Sequence, residues 1–335
     1  MLHILIFQTI AKPIWDRRAL WLLYLALWPL SWFFPAEFVP VQVIVVMLVL
    51  TVFVIPHQVA DFYLPPWLLN PPWKSKLSYW ISAIGLLAAF SLLTYGLWIF
   101  SSNFMIALFT PIIIWHWGSL DTIHLYPSRG PSWLIGSIGR GTLVLIAPLY
   151  FRPLETQELF INFIGSDQSN ILNTLYSFSG YILVLGIVFE ILAILVHKFV
   201  RIRGLPLQVS AHMTESLILL LTFRFIHPLY SLAFYFLILH PIRHMYRIPA
   251  YIPESRGVLL EGDGLIKNLS FHFQKTNFLS FVVILGLCVW FSWKIFNGDT
   301  MIEATAACVK AFALFLIPHS LVTLLVDFNP KRLEG

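Results

Sequence analysis

Charge is scarce in this chain. Only 11% of its 335 residues are Asp, Glu, Lys or Arg, less than half of the roughly one quarter usual in soluble domains, which excludes an ordinary water-facing surface. Cysteine is nearly absent. Cys288 and Cys308 are too few for a disulfide framework or a thiolate zinc site, and both lie in apolar segments, where they read as buried packing residues. The formal charge of +5 comes without a basic block. Lys and Arg stand singly between apolar runs, which excludes a nucleic-acid surface and makes them topology signals. The MLHILIF opening lacks the basic-then-apolar order and small-residue cleavage site of a secretory leader, so no cleaved peptide is expected. No fixed-period repeat or low-complexity tract interrupts the chain, which reads as a single integral membrane domain over 1–335.

Apolar residues make up 59% of the sequence and aromatic residues 16%. Apolar runs near the ~20 residues that span hydrocarbon occur at roughly 19–34, 41–60, 78–100, 103–121, 132–150, 172–196, 210–226, 228–247, 277–296 and 302–327. Backbone polar groups in lipid must be satisfied within the spanning element, and these runs lack the alternation of barrel strands. The expected fold is therefore all-α, a polytopic transmembrane bundle of about ten helices. Eight or nine remain open, because Arg140 sits between glycines in the fifth run and only His227-Pro228 separates the seventh from the eighth.

Loop charge sets orientation, since cytoplasmic loops collect Lys and Arg. With the N-terminus inside, the even-numbered connections hold Lys74 and Lys76, then Arg129, then Lys198, Arg201 and Arg203, then Arg256, Lys267 and Lys275, before a tail with Lys331 and Arg332. The odd-numbered ones hold Glu37, a Ser101-Ser102 link, Arg152 with Glu155, Glu158 and Asp167, then no charge, then Asp299 and Glu303. This asymmetry places both termini in the cytoplasm.

Ionisable groups inside membrane segments are costly, so each one calls for a partner or a function. Four clusters stand out. VIPHQVAD sets His57 and Asp61 at i and i+4. IIIWHWGSLDTIH carries His116 and Asp121, with His124 just beyond. FYFLILHPIRHMYR carries His240 and His244 four residues apart, and LFLIPHSL carries His319. In the inside-first topology all four lie toward the cytoplasmic side. Imidazoles from several helices would supply nitrogen ligands to one metal, with nearby carboxylates orienting their other ring nitrogens. Without sulfur, such a set suits iron, copper, nickel or zinc alike.

Any single membrane histidine is more often a helix–helix hydrogen bond than a ligand. His3, His197, His227 and His272 keep that structural reading, while the shared side of the four clusters favours ligation. Glu190, mid-run in the sixth segment, and Glu215, three residues after His212, read as packing partners or hydrogen-bond partners to ligands.

PHQVAD, HWGSLD, FYFLILHPIRH and the late IPH, in this order and spacing, resemble the Brp/Blh-type β-carotene 15,15′-dioxygenases over about residues 50–320. The resemblance implies a multi-pass enzyme of a bacterial or archaeal cell membrane. It further implies Fe(2+) and dioxygen acting on β-carotene at its central double bond, with retinal as product and no nucleic-acid partner. Carried over, the metal histidines fall on His57, His116, His240 and His244. His319, Asp61, Asp121 and Glu215 are candidate ligands or partners of ligands. Gln58 and Pro241 depart from the family's usual glycine and serine, marking a divergent member, and the proline sets a kink at His240.

Two other functions remain open from the residues. A membrane di-iron desaturase or hydroxylase of lipids would carry eight or more histidines in short boxes, whereas only His240 and His244 form one here. A transporter with a His/Asp/Glu relay would stage charges through the membrane depth and show inverted repeats, and Glu190 best fits it.

Overall fold

The computed structural model describes residues 21–59, 77–122, 130–164, 169–200, 209–247 and 265–328. All regular structure among them is helical. The described residues of each apolar run are mostly helical. Six helices are long and apolar enough to cross a membrane: Val39–Val59, Asn103–Thr122, Pro131–Phe151, Leu172–His197, Thr276–Phe296 and Met301–Leu324. Two shorter apolar helices, Trp21–Phe33 and Ile84–Phe100, match the first and third runs.

The chain divides into two compact units. The first comprises Met1–Leu27, Glu37–Ser101 and Ala233–Gly335. Its elements are α1 (Val39–Val49), a π-helical turn π1 (Leu50–Val54), α2 (Ile55–Val59) and α3 (Leu77–Phe100). After α9 (Pro228–Phe234), whose last residues belong here, come a second turn π2 (Tyr235–Leu239) and α10 (His240–Arg247). The unit closes with α11 (Leu265–Phe296), α12 (Met301–Ala313) and α13 (Leu316–Phe328). π1 packs on π2, α2 and α10 pack on α11, α12 packs on α1, and α13 packs on α3. A capping box starts α12: Thr300 accepts from the Glu303 backbone N–H, and the Glu303 carboxylate accepts from the Thr300 backbone N–H at 2.8 Å.

The second unit comprises Trp28–Ala36 and Ser102–Leu232. It holds α4 (Ser102–Thr122), α5 (Pro131–Phe151), α6 (Pro153–Ile164), α7 (Ser169–Val200) and α8 (Val209–Phe225). α5 is its hub, packing on α4, α6, α7 and α8. The sequence accounts for this: Gly136, Ser137, Gly139, Gly141 and Ala147 give α5 a small surface that lets other backbones close in. Where α4 meets α5, the approach at two places is so close that only glycine fits. A methyl on Gly118 of α4 would be driven into the Ser137 carbonyl of α5, and one on Gly141 of α5 into the Ile114 carbonyl of α4. The two contacts bracket His116. Gly141→Ala is expected to cost about 2 kcal/mol or more, as overpacking against an unyielding backbone does. Gly85→Ala on α3, where a methyl meets nothing within 4 Å, is expected to be neutral or slightly stabilising. Thermal unfolding of the two variants in detergent checks the contrast.

One expectation needs correction, and one connection carries a helix of its own. Residues 153–164 form α6, with Glu155 in its first turn, because Thr156 and Glu155 anchor the turn. The Thr156 hydroxyl donates to the Arg152 carbonyl at 2.6 Å, and Arg152 donates to Glu155 at 3.1 Å. Partial burial disfavours the Glu155 charge, but its backbone hydrogen bond and Arg152 prevail, holding this carboxyl below its ordinary value. Cys308 is buried as expected, but Cys288 is exposed. It lies on α11, whose apolar stretch is only 6% buried, so an apolar neighbourhood in sequence here marks an outward face.

Candidate metal centre

The first unit gathers four buried histidines. His57 lies on α2, His240 and His244 on α10, and His319 on α13, each at most 4% exposed. The His57 ring centroid is 5.7 Å from that of His240, 5.1 Å from His244 and 5.0 Å from His319, and His244 lies 5.3 Å from His319. The ring planes cross at 66–86°. One ring nitrogen of His57 and one of His240 lie within 4.8 Å of each other. At the roughly 2.1 Å of a metal–imidazole bond, two imidazoles at right angles around one ion would have centroids about 4.6 Å apart, and opposed ones about 6.5 Å. The observed spacings fall between these values. The imidazole donors thus fit a first-row transition metal such as iron.

Local chain geometry puts these rings together. Pro56 and Pro241 lack the N–H that a regular helix would use, and in α geometry each ring would strike the carbonyl four residues back, on Val52 and Leu237. Both carbonyls lie at the middle of a π-turn. The Ile55 N–H donates to the Leu50 carbonyl and the His240 N–H to the Tyr235 carbonyl, each five residues back. The expected kink at His240 is therefore a widened turn. At His319 a break takes the same place: Pro318 follows Leu314 and Phe315, which form a turn between α12 and α13. Tyr235 and Phe236 pack their rings 5.7 and 5.9 Å from that of His240, and the Arg243 guanidinium stands 5.6 Å over the Trp21 ring. Tyr235 and Phe236 thus set apolar ring surface against His240.

His116 belongs to the second unit, on α4, and is 1% exposed. Its helix is tied to α5 by the glycine contacts, by Thr122 and Ser137 hydroxyls 2.9 Å apart, and by the Trp133 indole donating to the Ser119 carbonyl at 3.4 Å. Asp121 is fully buried on the same helix and interacts electrostatically with Arg140. Asp61 and His124 lie outside the described residues, as does His3, and nothing is described of the His272 side chain. His227 has a structural role, its Nδ1 accepting from the Leu229 backbone N–H at 3.2 Å at the start of α9. His197 is buried on α7.

The second unit also holds a polar centre whose organising residue the sequence reading missed. Arg140, fully buried on α5, donates to Glu190 of α7 at 3.0 and 3.4 Å, to Glu215 of α8 at 3.3 Å and to Ser216 at 3.0 Å. Ser216 donates to Glu190 at 2.8 Å, and His212 pairs with the same carboxylate. Glu190 and Glu215, expected to serve metal ligands or packing, are thus partners of Arg140. A signal was present: one basic and two acidic residues stand alone in separate apolar runs, and charges in such segments pair with one another.

The sequence profile of the beta-carotene 15,15'-dioxygenase family matches residues 47–327, more than four-fifths of the chain. The chain belongs to that family. The matched span contains every buried histidine described above. No curated protein and no solved structure matches the chain.

Proposed function

We propose that the chain is a membrane-embedded non-haem iron dioxygenase that cleaves β-carotene at its central double bond, giving two molecules of retinal. The observation that carries this reading is the group of four buried imidazoles around His57 in a member of the beta-carotene 15,15'-dioxygenase family. Six apolar helices of spanning length fit a multi-pass membrane protein, and the basic connections favour cytoplasmic termini.

His57, His240 and His244 are the proposed ligands described above, and the HWGSLD motif of the family resemblance assigns His116 to the same role. His319 serves as a further ligand or holds His57 and His244 in place. Bound Fe(2+) would supply the activation of dioxygen. The reaction balances without a reductant: one carbon–carbon double bond breaks, and each oxygen atom ends in one aldehyde. The chain's own part is to fix the imidazoles, to exclude water with Tyr235, Phe236 and the buried apolar residues around them, and to hold the polyene beside the centre.

Expression in cells engineered to accumulate β-carotene tests the proposal. Retinal is expected with the intact chain and not with His240→Ala, as read by chromatography of extracted pigments. Unchanged β-carotene with folded, iron-loaded protein would overturn the substrate assignment.

A further inference from the structure

π-Helical turns occupy well under 1% of residues in ordinary proteins. Here two of them directly precede candidate ligands, and they pack on each other. π1 ends at Val54, before Ile55-Pro56-His57, and π2 ends at Leu239, before His240-Pro241. A π-turn holds one residue more than the α-turn it replaces. If that residue were wound into regular α-helix, everything beyond it would rotate by about 100° around the axis. Such a rotation would carry His57 off the face it shares with His240, His244 and His319.

We infer that each proline and the extra residue of its π-turn form a matched pair that sets the rotational phase of the histidine beside it. Pro56 with the turn centred on Val52 positions His57, and Pro241 with the turn centred on Leu237 positions His240. The inference rests on the metal-centre reading above and names residues that position ligands without touching the metal. The proline drives the turn open, because its ring collides with the carbonyl of the central residue in α geometry. The extra residue takes up the resulting change in winding. Val52 is 38% exposed, so its side chain is not what the centre requires. The residue count is.

A cycle of three variants tests this, with Co(2+) binding to the full chain in detergent followed by titration and by the ligand-field absorption spectrum. Deletion of Val52 alone leaves Pro56 colliding within an α-turn. Pro56→Ala alone leaves one residue too many for an α-turn. Each is expected to weaken Co(2+) binding roughly tenfold or more, the loss typical when a ligand is misaligned, and to change the spectrum. Combining the two gives an uninterrupted α-helix with His57 back in phase, so binding and spectrum are expected to return toward wild type. Val52→Ala, which keeps the count, is expected to match wild type.

Deletion of Leu237 with Pro241→Ala repeats the cycle at His240 and serves if the first deletion does not fold. Single and combined variants that lose binding additively, or a Pro56→Ala protein identical to wild type, would overturn the pairing. A wild-type protein that binds neither Co(2+) nor Fe(2+) would instead sink the metal-centre reading itself.

Discussion

Arg140→Met is expected to leave little folded protein. The methionine fills much of the same volume, but Glu190 and Glu215 lose the cation that faces both of them. Removing one partner of a buried ion pair costs about 3–5 kcal/mol, because the remaining charge is stranded in low dielectric. That is a large share of the roughly 5–15 kcal/mol that holds an average fold together. Arg140 faces two carboxylates, Glu190 and Glu215, so the loss falls at the upper end. Glu215→Gln is expected to be milder, since Glu215 meets Arg140 through one contact at 3.3 Å whereas Glu190 makes two. The triple variant Arg140→Met, Glu190→Gln, Glu215→Gln is expected to recover stability relative to Arg140→Met, because no charge is left unmatched. Thermal unfolding in detergent orders the series. A triple variant less stable than Arg140→Met would show that the groups do not act as one ionic unit.

The second large effect is on metal retention. His57→Ala is expected to abolish bound iron, because the His57 ring lies 5.0–5.7 Å from those of His240, His244 and His319. Loss of an imidazole ligand exceeds the roughly 10–100-fold loss of affinity seen when only a ligand's orienting partner is removed. His240→Ala, His244→Ala and His116→Ala are expected to follow His57→Ala. His227→Ala, which removes only a backbone contact at the start of α9, is expected to keep full iron. His319→Ala separates its two proposed roles: complete loss marks a ligand, and a loss within the 10–100-fold range marks a group that holds its neighbours. Metal analysis per mole of purified protein gives the answer. Equal iron in His57→Ala and His227→Ala would remove the centre from these residues.

Much of this was legible in the chain because membrane helices advertise themselves. Backbone groups in lipid must be satisfied locally, so the apolar runs mark helix, and His57, His240, His244 and His319 could be singled out as polar residues in costly places. What stayed hidden depends on side-chain direction and turn geometry. Pro241 announced a departure from regular helix, but the extra residue that widens the turn before it carries no mark in the sequence. Cys288 looked buried because an apolar residue facing lipid and one facing the core read alike in sequence. α6 was hidden by its charges, which also suit a loop. Arg140 looked like a flaw in the fifth run because its partners come 50 and 75 residues later.

That distance along the chain is also an interval of time. At about 5–20 residues per second of synthesis, roughly 4–15 s pass between the making of Arg140 and of Glu215. A lone arginine at the middle of a membrane helix costs about 2.5–3.5 kcal/mol to leave in lipid. α5 therefore has reason to linger at the insertion machinery, or against α4 through Gly118 and Gly141, until α7 and α8 arrive. The ionic centre is thus complete only once α8, the later of the two helices it joins to α5, has been made.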